Sequence, residues 1–164
     1  MQNDIILTAR ERLGALTPLR RDCGRLCGAS CCQADESGKG GMILFPGEET
    51  RYGAQTPWAR ISPGEIAVAG RPLQMLTCDG TCDRAERPLA CRVFPLTPVA
   101  LDDKIDVVLD VRAWPVCPLM PHGMKGLDAA FVAAVRAAAA LLWEDSACRL
   151  AIEAMTEHLR KFME

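Results

Sequence analysis

The chain has 164 residues, 49% hydrophobic and 24% charged, with a formal net charge of -2. That length fits one compact domain with a core of its own, and the charge excludes the basic footprint that nucleic acids and anionic membrane surfaces require. With 11 prolines and 13 glycines in an apolar chain, a coiled coil and a disordered chain are excluded as well.

From the N-terminus, Ile5, Ala9, Leu13 and Leu16 recur at helical spacing behind an Asn3 or Asp4 cap, which predicts a helix over Asp4 to Leu16. Thr17-Pro18 reads as a second cap with proline in the first turn, opening a short helix from Leu19 through Cys27. Ser37 to Gly41 is a turn, and Met42 to Phe45 is a strand closed by Pro46-Gly47. The stretch from Trp58 to His122 is rich in proline and short extended pieces. Its best strand is Ile105 to Arg112, where Ile105, Val107, Leu109 and Val111 alternate with Asp106 and Asp110. Asp102-Asp103-Lys104 turns that strand back on Pro98 to Leu101, and Pro98 marks the partner as an edge strand. Asp128 caps a helix from Ala129 to Trp143, and Asp145 or Ser146 caps another to about Met163, with Cys148, Ile152, Met155, Leu159 and Phe162 on one face. The expected fold is therefore α+β, with helices at both termini around a small antiparallel sheet. It forms one domain over 1–164, with a cysteine-bearing region over 23–117 and a helical pair over 128–163.

Nine cysteines are the unusual feature. The N-terminus has neither a basic n-region nor a long apolar segment, so it does not read as a signal peptide. The apolar stretch Ala129 to Trp143 is interrupted by Arg136 and falls short of the roughly 20 residues that span a bilayer. The expected location is the cytoplasm, where thiols stay reduced and clustered cysteines bind metal more often than they form disulfides. The odd count agrees.

Eight of the nine cysteines fall in the first 117 residues, in two groups. One is Cys23, Cys27, Cys31 and Cys32. The other is Cys78, Cys82 and Cys91, with Cys117 further on. Residues four apart share a helix face, so Cys23 and Cys27 can address one metal. Cys78 and Cys82 flank the tight turn Asp79-Gly80-Thr81. Four thiolates suit tetrahedral zinc, and the same number holds an iron-sulfur cluster. Neither group has enough well-spaced sulfurs for a site of its own, because Cys31 and Cys32 are adjacent and Cys117 has no near companion. Pooling all eight into one region resolves both problems, and the metal then staples the N-terminal helices to the sheet. Arg20, Arg21, Arg25, Arg84, Arg87 and Arg92 flank the groups, either as cations that offset thiolate charge or as a solvated basic surface.

Cys23 to Cys32, followed by Arg87-Pro88-Leu89-Ala90-Cys91-Arg92-Val93-Phe94-Pro95, resembles the bacterial YkgJ-type cysteine-cluster family, whose signature is CxxCxxCC followed by RPxxCRxFP. The second motif matches at every defined position, whereas the first has three residues between successive cysteines instead of two. The resemblance covers about Cys23 to Cys117 and implies a zinc- or iron-chelating protein. Flagellin lysine methylating proteins carry a similar cluster, which adds an iron-sulfur redox or methyl-transfer enzyme as the alternative. On physical grounds Pro88 and Pro95 restrict the backbone around Cys91, Arg87 and Arg92 bring forked donors, and Phe94 packs beside the site.

Other residues read as structural. Cys148 lies on an apolar helical face, and Trp58, Trp114 and Trp143 suit packing. His122 is a loop histidine, with zinc ligation the competing role, and His158 suits the last turns of a helix. Glu48-Glu49 and Asp102-Asp103 are adjacent carboxylates whose side chains diverge, so neither is an acid/base dyad. No catalytic spacing or phosphate loop is present, so the reading is a metal-binding protein whose expected partner is a metal ion, any protein partner being unknown, with zinc as the cofactor and an iron-sulfur cluster as the alternative.

Overall fold

The computed structural model describes residues 2–19, 41–79 and 82–163. The architecture is α+β, as expected. Helix α1 spans Gln2–Leu13 and ends where Gly14 takes φ +52 and its N–H bonds the Arg10 carbonyl, a left-handed cap that suits glycine. The buried stripe is Ile6, Ala9 and Leu13, with Ile5 at its margin; Leu16, expected on that stripe, lies past the end and is exposed. The short helix expected to start at Leu19 falls almost wholly outside the described residues, as does most of the Ser37 to Gly41 turn.

Two antiparallel sheets replace the single one expected. Strand β1 (Met42–Ile43) pairs with β3 (Arg71–Cys78), and β3 pairs on its other side with β2 (Ala59–Val68). Strand β1 is shorter than expected, although the Leu44 N–H still bonds the Gln74 carbonyl at 2.8 Å. The β2–β3 hairpin turns on Ala69 and Gly70, both at positive φ, and carries a register shift between Pro63 and Ala67. The second sheet pairs β4 (Leu96–Leu101) with β5 (Lys104–Leu109), with Pro98 opposite Val107. Strand β5 stops at Leu109, short of the predicted Arg112. Asp110 turns the chain there, and its carboxylate accepts the Arg112 N–H at 2.9 Å and the Arg112 guanidinium at 2.9 and 2.7 Å.

Helix α2 (Leu89–Val93) precedes β4, and helices α3 (Ala129–Glu144) and α4 (Ser146–Arg160) close the chain. The predicted caps are present. Asp128 accepts the Phe131 N–H at 3.3 Å, and Asp145 accepts the Cys148 N–H at 2.9 Å. The main core packs α1, α2, β4 and β5 against α3, around the fully buried Phe131. Helix α4 joins the two sheets. Its Ala151 and Met155 pack on Ile43, Ile66 and Leu73, and its Thr156 hydroxyl accepts the Ala100 N–H of β4 at 2.9 Å. Cys148 is fully buried, whereas Phe162, on the same predicted face, and Trp114, expected to pack, stay exposed at 59% and 58%. No helix among the described residues is long and apolar enough to cross a membrane.

Candidate metal centre

The Arg87–Pro95 run builds one wall of a cavity. Pro88, in extended conformation, caps α2, and Leu89 and Val93 bury one face of that helix in the main core. Those two anchors leave Cys91 and Arg92 on the other side, half-buried. There they line a cavity of about 280 Å³ with Arg87, Phe94, Cys117 and the chain leaving α1 from Gly14 to Pro18.

Cys117 reaches this cavity through two hydrogen bonds. The Asp110 N–H bonds the Pro95 carbonyl at 2.8 Å, which ties the end of the Cys91 motif to the start of the next loop. The Cys117 N–H then bonds the Ala113 carbonyl at 2.8 Å. The cavity's opposite wall is held where the Asp128 N–H bonds the Pro18 carbonyl at 2.8 Å.

Cys82 belongs to the same neighbourhood. Its sulfur accepts the Arg87 Nε–H at 3.4 Å, and Asp83 steadies the following turn by accepting the Ala85 N–H at 3.0 Å. Cys78 ends β3 opposite Ala59 and borders a small cluster of Leu44, Tyr52 and Leu76. Tyr52 links the two places. Its ring packs in that cluster edge-on to Trp58, its hydroxyl donates to the Glu86 carbonyl at 2.8 Å, and its phenol feels the charge of Cys91. Burial is the main force on that phenol and pushes its pKa up.

The surroundings are cationic. Arg92 Nε donates to the Arg87 carbonyl, Nη1 to Gly14 and Nη2 to Ala85, each at 3.1 Å. Burial, and then the nearby Arg10 and Arg87 guanidiniums, pull its pKa below the ordinary value. Arg10 is itself buried, donating from Nη1 to the Arg87 carbonyl at 2.6 Å and from Nη2 to the Ala85 carbonyl at 2.7 Å. Beneath them lies Glu48, completely buried, with Oε1 accepting the Leu89 N–H at 2.7 Å and Oε2 the Phe45 N–H at 3.1 Å. Its Oε1 stands 3.6 Å from Arg10 Nη1. Burial pushes this carboxyl's pKa up, against the two N–H donors and Arg10, which lower it.

Of the eight cysteines predicted as ligands, the structure therefore brings Cys91 and Cys117 to one cavity and Cys82 to Arg87, which lines it, with Cys78 beside the Tyr52 cluster. Cys23, Cys27, Cys31 and Cys32 lie outside the described residues, as do Arg20, Arg21 and Arg25. Among the described residues no three His, Cys, Asp or Glu side chains gather closely enough to hold a metal ion. Cys148 is apart in the core, where burial and then Asp145 push its thiol pKa up. His122 is exposed on a turn. Arg87 and Arg92 have specific sulfur and carbonyl partners and are not simply a solvated surface. Sequence reasoning missed Glu48 and Arg10. A carboxylate beside a second carboxylate carries no pattern that foretells complete burial. No protein-family model, curated protein or solved structure matches the chain.

Proposed function

We propose that the protein binds a metal through its pooled cysteine groups, with zinc the favoured ion, in a structural or metal-handling role. The observation that carries this reading is the convergence of Cys91 and Cys117 on one cavity, with Arg87 lining it and donating to the Cys82 sulfur. Thiolates are the donors that zinc and iron select, and they suit a pocket lined by the half-buried guanidiniums of Arg87 and Arg92. A zinc ion in four thiolates leaves about two negative charges, which such cations offset.

The chain path favours pooling. Leu19, just beyond the cavity wall, precedes Cys23 by four residues, a reach of at most about 14 Å. Gly41, nine residues after Cys32, stands so close to Leu76 that an added Cβ would meet its carbonyl, two residues before Cys78. The likeness of Arg87–Pro95 to the YkgJ-type signature supports the same reading, since this run forms the cavity wall. The site needs a reducing compartment such as the cytosol, where thiols remain available.

Elemental analysis and an absorption spectrum of anaerobically purified protein test the proposal. Colourless protein with stoichiometric zinc is the expected result. Brown protein with iron and sulfide would move the reading to an iron-sulfur redox or methyl-transfer protein, and protein with no bound metal that takes none up would refute it.

A further inference from the structure

We infer that Glu48 is a positioning residue for the cysteine site, acting through the first N–H of α2 and through the Arg10 guanidinium. The inference rests on the thiolate–metal reading and assigns a task to a completely buried carboxylate that reading leaves unused.

Glu48 lies on the turn after Phe45, far in sequence from the cysteines it serves. Its Oε1 takes the Leu89 N–H at 2.7 Å, two residues before Cys91. That donor is one of the N–H groups a helix leaves without an intrahelical partner, so the carboxylate fixes where α2 begins. Through Arg10, 3.6 Å away, the same carboxylate orients a guanidinium that grips the Ala85 and Arg87 carbonyls at 2.7 and 2.6 Å. Those carbonyls lie on the stretch between Cys82 and Cys91, and the residue carrying the second one donates its side chain to the Cys82 sulfur. One buried ion pair thus holds the Ala85–Leu89 stretch that lies between two of the sulfurs.

The ion pair with Arg10 alone gives no stability reason for a carboxylate here. Replacing a buried ion pair with apolar side chains of similar volume is often neutral or stabilising, because desolvation offsets the attraction. What apolar packing cannot do is accept the Leu89 and Phe45 N–H groups while aiming Arg10 at two carbonyls. Directionality is what Glu48 adds.

Cobalt(II) is the probe, since its thiolate charge-transfer and visible bands report both occupancy and ligand geometry. The full chain is titrated anaerobically as wild type, Glu48→Gln, Arg10→Lys and Ile152→Val, the last a destabilised control in the packing of α4. Ile152→Val should keep the wild-type affinity and bands. Glu48→Gln should bind about tenfold or more weakly with altered bands, as losses of ligand-supporting partners do. Arg10→Lys, which keeps the charge but loses the fork, should fall between them and serves alone if Glu48→Gln does not fold. Wild-type affinity and bands in the variants would overturn the inference. If the wild type takes up no cobalt, the metal reading itself fails, and hydrogen exchange of the metal-free chain decides the positioning role. Faster exchange confined to 85–93 upholds it, and a uniform increase or none overturns it.

Discussion

Cys91 and Cys148 are the same chemical group in opposite settings. Cys91 is half-buried at a cavity with cations around it, and Cys148 is fully buried among apolar side chains. Cys91→Ser should lose metal and, because metal binding energy becomes folding energy, lower the melting temperature of the whole domain. Cys148→Ser should keep its metal and lose less than the roughly 1–3 kcal/mol of an unpaired buried hydroxyl, because Asp145 beside the thiol can accept it. Metal content and thermal melting of the two variants separate these effects. Full metal content in Cys91→Ser would sink the pooled site. At this scale the sequence was informative where identity and spacing carry chemistry, as for the cysteines and the two prolines around Cys91. It was silent on Glu48, since burial of a carboxylate depends on partners at Arg10, Phe45 and Leu89 that only the fold brings together. Trp114 shows the reverse error, an apolar residue that the fold leaves in solvent.

Elements were legible where one local signal dominated. The helices α3 and α4 begin at the aspartates that cap them, and the alternation of Ile105 and Val107 located β5. The hairpin β2–β3 escaped because Pro63, Gly64 and Pro72 read as breakers. The fold accommodates them by leaving β2 at the sheet edge and shifting register after Pro63. Gly64 is needed there, since a Cβ would lie 2.9 Å from both the Ile43 Cδ1 and the Leu73 carbonyl oxygen. The β4–β5 hairpin carries a correctable local conflict. Asp102 and Asp103 both hold positive φ, at 50° and 62°, in a two-residue turn whose second position favours glycine. The left-handed conformation costs an L-residue roughly 1–2 kcal/mol, less for aspartate, so Asp103→Gly should raise stability by about 0.5–1 kcal/mol. Denaturant unfolding measures it, and a loss of stability would show that the Asp103 side chain contributes more than the turn costs.

At the scale of the whole molecule, the candidate site lies where the two halves of the fold approach each other. Tyr52 packs with the three-stranded sheet's cluster and donates to Glu86 beside the cysteines, while α4 joins both sheets from the far side. The chain has one tyrosine, so its ionisation reports on this junction alone. Burial first, and then the Glu48 carboxylate, raise its pKa above the ordinary value of about 10. A raised value means that the folded state keeps a proton which the unfolded chain releases. The stability this confers is complete below pH of about 10 and falls as the pH climbs from there toward the folded value. Tyrosinate absorbance should therefore stay absent through the range where a free phenol titrates and then emerge together with the loss of far-ultraviolet circular dichroism. Tyr52→Phe keeps the ring but removes both the titration and the bond to Glu86, so it should flatten this alkaline decline while lowering stability near neutrality by about 0.5–1.5 kcal/mol. Tyrosinate forming near pH of about 10 with the circular dichroism unchanged would mean that the phenol is open to solvent and that the two halves do not close over it.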